Sequence, residues 1–176
     1  MTENIKTTLR DSAAIRWMVL MFLAFAMFCS YIFMDILSPI KDLMQSTRGW
    51  DSTAFGTMQG SETFLNVFVF FLIFAGIILD KMGVRFTAVL SGLVMLIGAT
   101  INWYAVTDSF IGSGLETWFN KNLKYIPGFD ELGISPFYLG MPASAKFAAV
   151  GFMVFGCGCE MAGITVSRGI VKWFKG

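Results

Sequence analysis

Histidine is absent from this chain of 176 residues, and cysteine is scarce, at three residues: Cys29, Cys157 and Cys159. Without histidine the chain lacks the side chain that most often serves as a general base or a metal ligand. Cys157 and Cys159 form a C-x-C pair, but no second pair of ligands is present to complete a zinc site. An odd number of cysteines, all within apolar runs, argues against a disulfide framework. We therefore expect no metal site and no cofactor.

Charge is also scarce, because only 14% of the residues are charged, whereas typical soluble domains carry about 25%. The net charge is +1, and no basic stripe indicates a nucleic-acid partner. There is no Walker loop for ATP, and with neither histidine nor clustered carboxylates we expect no enzyme. Hydrophobic residues make up 56% of the chain, which predicts that a lipid bilayer surrounds most of the molecule.

Uncharged or nearly uncharged apolar runs occur at residues 17–34, 55–79, 86–104 and 147–166. Runs of about 18 residues or more are long enough to span a bilayer as helices. The first run is too long for a signal-peptide core, and no cleavage site of small residues follows it. The alternation typical of a membrane β-barrel is missing. The predicted fold class is therefore an all-α membrane protein with four transmembrane helices.

The distribution of Lys and Arg predicts the orientation of these helices. One side of the membrane would receive basic residues close to the span ends: Lys6, Arg10, Arg16, Lys81, Arg85, Arg168, Lys172 and Lys175. On the other side they are spread over longer loops: Lys41, Arg48, Lys121, Lys124 and Lys146. The first side is predicted to be cytoplasmic and to hold both ends of the chain. Since no eukaryotic sorting signal is evident, we expect a bacterial inner membrane.

This orientation divides the chain into a cytoplasmic segment 1–16, helices one to three within 17–104, an extracytoplasmic loop 105–144, and the fourth helix with the start of a cytoplasmic loop in 145–176. Ser113 and Glu116 form an S-x-x-E capping box within the long loop. Apolar residues recur behind it at helical spacing: Leu115, Trp118, Phe119 and Leu123. The loop is therefore predicted to contain a short amphipathic helix.

Between the second and third runs the sequence reads Gly76-Ile-Ile-Leu-Asp80-Lys81-Met-Gly83-Val-Arg85. It resembles the G-x-x-x-D-R/K-x-G-x-R/K signature of the major facilitator superfamily, which links helix two to helix three and gates conformational change. We expect Gly83 to form the turn and Gly76 to admit a close neighbour. Asp80 would face a helix N-terminus, and Lys81 and Arg85 would lie in the cytoplasm.

The end of the chain is similar to one branch of that superfamily, which includes lysosomal dipeptide transporters and bacterial relatives. The similarity rests on Gly156-Cys-Gly158-Cys-Glu160 and on the W-F-K-G of residues 173–176. It implies a small solute, peptide-like or an organic ion, and coupling to protons. However, residues 150–154 lack the Arg that many proton-coupled members carry there, so their coupling mechanism cannot be transferred.

Membership would imply twelve helices in two six-helix halves around a central cavity, and transport by alternating access. This chain would supply the first four helices, so we expect an N-terminal fragment. The alternative is a four-helix adaptor without transport activity. Tetraspanins also place a large loop between helices three and four, but their loop is built on cysteines and residues 105–144 contain none.

Ionisable residues within a membrane are candidate functional residues, because each costs about 2.5–3.5 kcal/mol to insert. Glu160, deep in the fourth helix, could bind a proton or a cationic group, or could form a structural ion pair. Glu62, with Asn66 one turn further along, and Asp35 at the end of the first helix are further candidates for a substrate or proton site. Glu62 and Asp35 also lie close enough to the outer end to be merely solvated.

Overall fold

A computed structural model of the chain describes residues 12–124 and 135–174. Most of the predicted N-terminal segment (1–11), part of the predicted long loop (125–134) and residues 175–176 lie outside this range. Every regular element within it is helical. The elements are α1 (Ala13–Asp35), a 3-10 turn (Ser38–Ile40), α2 (Lys41–Arg48), α3 (Ser52–Gly60), a 3-10 turn (Ser61–Thr63), α4 (Phe64–Phe68), α5 (Phe71–Ala105), α6 (Gly114–Asn122) and α7 (Ala143–Trp173).

Within the described ranges, three helical stretches are long and apolar enough to cross a membrane: Ala13–Arg48, Phe71–Ala105 and Ala143–Lys172. The first joins α1 to α2 through the 3-10 turn between them. This result confirms an all-helical protein with several candidate membrane spans. It differs from the four separate spanning helices that the apolar runs predicted.

The predicted second span, 55–79, is not one helix in the structure. It is divided among α3, a 3-10 turn, α4 and the start of α5. The break follows α4, where Phe70 adopts a left-handed backbone conformation with φ +55°, which is unusual for a bulky residue. Residues 64–71 read FLNVFVFF, and aromatic and β-branched side chains lose rotamer freedom in a helix. This composition weakens the helix at the point where it is interrupted.

The predicted third span, 86–104, lies in the second part of α5. Gly83 interrupts the helical backbone of α5 with φ +82° and ψ 168°, so two helical stretches meet there. A positive φ favours glycine, and the predicted turn at Gly83 is confirmed.

The chain runs in opposite directions along α7 before and after Gly83. Before Gly83, Asp80 contacts Arg168 near the end of α7, whereas Ser61 bonds to Ala149 near its start. After Gly83 the order is reversed, because Met95 lies beside Gly158 and Asn102 lies beside Gly151. The helix α7 is thus the central element of the described chain.

Glycines allow α7 to touch its neighbours backbone to backbone. A Cβ added to Gly98 of α5 would lie 2.5 Å from the backbone nitrogen of Phe155, and one added to Gly158 would lie 2.8 Å from that of Met95. Gly156 meets the backbone of Glu62. By contrast, Gly76 has no neighbour within 4 Å among the described residues, so the close approach expected there is absent.

The amphipathic helix predicted in the long loop is α6. The backbone nitrogen of Glu116 donates to Ser113 Oγ (3.2 Å), which confirms the Ser113 cap, whereas the Glu116 carboxylate accepts from the backbone nitrogen of Gly112 (2.5 Å) and not from that of Ser113 as in a complete capping box. Phe119 points inward and packs with Phe110 and Ala143 in a small core. Its ring meets that of Phe147 at 5.2 Å, so α6 is fastened to the start of α7.

Candidate functional site

Asp35 and Glu62, which lie 27 positions apart in the sequence, line the same cleft. The cleft has a volume of about 240 Å³ and lies between the end of α1, the turn after α3, and α7. Its other lining residues are Tyr31, Met34, Gln59 and Phe152. It therefore combines two carboxylates and an amide with aromatic and sulfur groups.

Packing against α7 positions both carboxylates. Phe33, two residues before Asp35, stacks on Phe155 with ring centroids 4.4 Å apart. On the other side, Ser61 Oγ donates to the carbonyl oxygen of Ala149 (2.9 Å), and this holds the turn that carries Glu62. The two acids are therefore brought together by separate contacts with one helix.

Asn66 does not line this cleft. Its amide nitrogen makes a long contact of 3.5 Å with the backbone carbonyl of Glu62. Its Oδ1 atom is buried and has no hydrogen-bond partner in the part of the chain that the structure describes. Asn66 thus supports the turn at Glu62, while its oxygen stays available for a donor.

Glu160 lies in a second cleft further along α7, with a volume of about 510 Å³. The side chain is exposed. The other walls include Gly76 and Asp80 of the predicted gating motif, together with Ser167 and Arg168. The predicted substrate site is therefore not a single site, because Phe152 and Glu160 are eight residues apart, or about 12 Å along a helix.

Four carboxylates line the two clefts, and among the described residues Asp35, Glu62 and Glu160 have no cationic partner within 4 Å, whereas Asp80 is paired with Arg168, which lines the same cleft as Glu160. Asp35 and Glu160 are close enough for their charges to act on Glu62. Yet across residues 12–124 and 135–174, the ion pairs within 4 Å involve other acids, Asp80 and Asp108. A structural ion pair, one of the two roles open to Glu160, is thus not observed in this range.

Asp80 of the gating motif forms an ion pair with Arg168, 2.9 Å away, and both side chains are more than half exposed. Arg168 lies near the C-terminal end of α7, and the expectation that Asp80 faces a helix N-terminus stays a prediction. Lys81 and Arg85 are exposed on either side of Gly83. The motif thus joins the turn in α5 to the end of α7 through a charge pair at the surface.

A second set of polar contacts, which the sequence did not reveal, links separate segments at the end of the molecule opposite Gly83. Arg48 pairs with Asp108 at 2.7 Å, and Trp50 Nε1 donates to Ser144 Oγ at 2.8 Å. Tyr138 donates to Asp51 at 3.2 Å. Burial, the Asp51 charge and this hydrogen bond raise the Tyr138 pKa, so its hydroxyl keeps its proton at neutral pH.

The cysteines do not form a chemical centre. Cys157 and Cys159 are buried in α7 and free, and Cys29 is free and exposed on α1. Cys159 Sγ lies 3.7 Å from the Met95 sulfur, which is a packing contact. Among the residues that the structure describes, no group of three His, Cys, Asp or Glu is arranged to hold a metal ion.

Comparison with known proteins identifies no relative: no family model, curated protein or solved structure matches this chain.

Proposed function

We propose that the chain is the N-terminal part of a secondary transporter of the major facilitator type, which moves a small solute across a membrane by alternating access. The observation that carries the proposal is the row of three carboxylates, Asp35, Glu62 and Glu160, in two clefts along α7 without a cationic partner among the described residues. Charged groups within membrane helices face protein interiors or water-filled cavities and mark pathways for ions and substrates.

The path of the chain supports a bundle of four crossings. Trp17 meets Phe174 with ring centroids 5.7 Å apart, and Phe33 meets Phe155, so α1 runs antiparallel to α7. Residues 61–80 run parallel to α7, and the part of α5 after Gly83 runs antiparallel to α7. In this proposal the second crossing is the interrupted segment 52–82, and its irregular backbone near Phe70 is tolerated where further protein or a cavity covers it.

The motif at Gly83 supports the same proposal through its geometry. The turn and the Asp80–Arg168 pair lie where a short connection between the second and third crossings would meet the end of the fourth. An exposed pair of this kind is weak and can therefore break and re-form as helices rock. Lys81, Arg85 and Arg168 gather there, which supports a cytoplasmic location by the positive-inside rule, and a bacterial inner membrane remains our proposed location.

The lining of the first cleft, with Asp35 and Glu62, favours a solute with a positive charge, such as the amino end of a peptide-like molecule or an organic cation, or a proton, whereas the second cleft places Arg168 beside its two carboxylates. Alternating access needs two halves that move against each other. The proposal therefore includes further helices, encoded with this chain, that complete the cavity.

The test is transport by the full gene product in proteoliposomes loaded with a pH-sensitive dye. Labelled dipeptides and organic cations would be added outside, and solute uptake and internal pH would be followed. We expect Glu160→Gln to abolish or uncouple transport with the amount of folded protein unchanged. A matched control is Glu116→Gln in α6, which removes a charge outside the clefts and keeps a capping side chain.

Three results would count against the proposal. Wild-type transport per folded molecule in Glu160→Gln would remove Glu160 from the pathway. A sharp fall in folded protein, as expected when one partner of a buried ion pair is removed at about 3–5 kcal/mol, would assign Glu160 a structural role. Failure of the whole solute panel to move would contradict transport itself.

A further inference from the structure

A separate cavity of about 150 Å³ lies at the end of the molecule opposite Gly83. Its walls come from the end of α1, from α2 and α3, and from the last turns of α5. The residues on which the argument depends are Phe33, Trp50, Phe55, Met58, Ala99 and Asn102. None of the four carboxylates that line the two clefts lines this cavity.

The deep wall of the cavity consists of core residues, while its rim is open, because Trp103, which also lines it, is 67% exposed. Trp50 and Met58 are 2% and 1% exposed, and Phe55 is 4% exposed. The Trp50 indole is anchored by its hydrogen bond to Ser144, and Phe33 is held by its stack on Phe155. These two walls are therefore held in place by contacts with α7.

The chemistry of the walls disfavours water as the occupant. A buried water needs two to four polar partners. Among the described residues that line the cavity, Asn102 supplies the one side-chain amide. Its nitrogen already donates to the Gly98 carbonyl oxygen (3.1 Å). The Trp50 indole nitrogen is likewise engaged, and apart from Asn102 and the exposed Trp103 the remaining lining side chains are hydrocarbon or thioether, so the wall is predominantly apolar.

We infer that this cavity is a binding site for a small aromatic molecule of about the size of benzene. An engineered apolar cavity of about 150 Å³ in another protein stays dry and binds benzene. Rings of Phe33, Trp50 and Phe55 offer edge and face contacts to another ring, and Met58 adds a sulfur that packs well on aromatic groups. This inference does not depend on the proposed transport.

The test uses the full chain in lipid nanodiscs with fluorobenzene as the probe, observed by ¹⁹F NMR. We expect a saturable bound signal in addition to the signal of probe dissolved in lipid. Ala99→Leu places a larger side chain in the cavity and should abolish the saturable signal. The matched control is Thr100→Leu, at the next position on α5, where the side chain is exposed; it should keep the signal.

Three outcomes would overturn the inference: no saturable signal in the wild type, equal binding by Ala99→Leu, or loss of binding in Thr100→Leu as well. The first is also the result expected if a lipid acyl chain occupies the cavity. Should Ala99→Leu fail to fold, Met44→Ala decides the matter, because Met44 also lines the cavity. That enlarged cavity should bind fluoronaphthalene saturably where the wild type does not, and equal behaviour of the two proteins would refute the site.

Discussion

The contact between α5 and α7 at Gly98 is tight enough that a single methyl group should disrupt it. In Gly98→Ala the new Cβ would lie 2.5 Å from the backbone nitrogen of Phe155, 2.7 Å from the carbonyl oxygen of Gly151 and 2.8 Å from the Cα of Phe155. All three are backbone atoms of α7. They cannot rotate away as the end of a side chain would, so the helices themselves must separate.

The separation required is about 1 Å, since carbon contacts are optimal near 3.5–4.0 Å. A gap of about 0.5–1 Å already forfeits a quarter to a half of the dispersion energy of each contact. Overpacking a well-packed interior typically costs about 1–3 kcal/mol. Against this, alanine in place of glycine within a helix gains roughly 0.5–1 kcal/mol.

Gly92 supplies the matched control because it lies in the same part of α5 and has no neighbour within 4 Å among the described residues. Gly92→Ala receives the same gain in helix propensity without the clash. The difference in the free energy of unfolding between the two variants therefore measures the packing cost, which we expect to be about 1–3 kcal/mol. Reversible unfolding of the purified chain in mixed micelles, followed by tryptophan fluorescence, gives both values. Equal stability of the two variants would refute the close packing of α5 on α7.

Two further predictions concern the turn at Gly83 and the sidedness of the chain. In a double-mutant cycle of Asp80→Asn and Arg168→Gln, the coupling in the free energy of unfolding should be about 0.2–1 kcal/mol, because the pair is more than half exposed; a coupling of several kcal/mol would mean that the pair is buried in the membrane-embedded protein. Single cysteines placed near Lys81 and near Lys121, in a background without the native cysteines, should react with an impermeant maleimide from opposite sides of the membrane. Labelling of both from outside intact cells would overturn the proposed orientation.

Features that depend on near neighbours in the sequence were predictable. The apolar runs predict helices, because a run in lipid must satisfy its own backbone hydrogen bonds, and three described helical stretches are long and apolar enough to cross a membrane. The cap that Ser113 provides for Glu116 is formed by residues three positions apart, and the turn at Gly83 depends on the freedom of glycine to adopt positive φ. The interruption at Phe70 was missed, because an apolar run reports suitability for lipid and not continuity of the helix.

The meeting of Asp35 with Glu62 was decided by the tertiary structure alone. Their cleft exists because α1 and the turn after α3 each dock on α7, and the rotation and sliding of each helix set which side chains face one another. For the same reason two glycines in apolar stretches of α5 have different neighbours. Gly98 meets the backbone of α7, whereas Gly76 faces open space among the described residues. Composition and spacing identify residues suited to a site, but whether two of them share a cleft depends on contacts between distant segments.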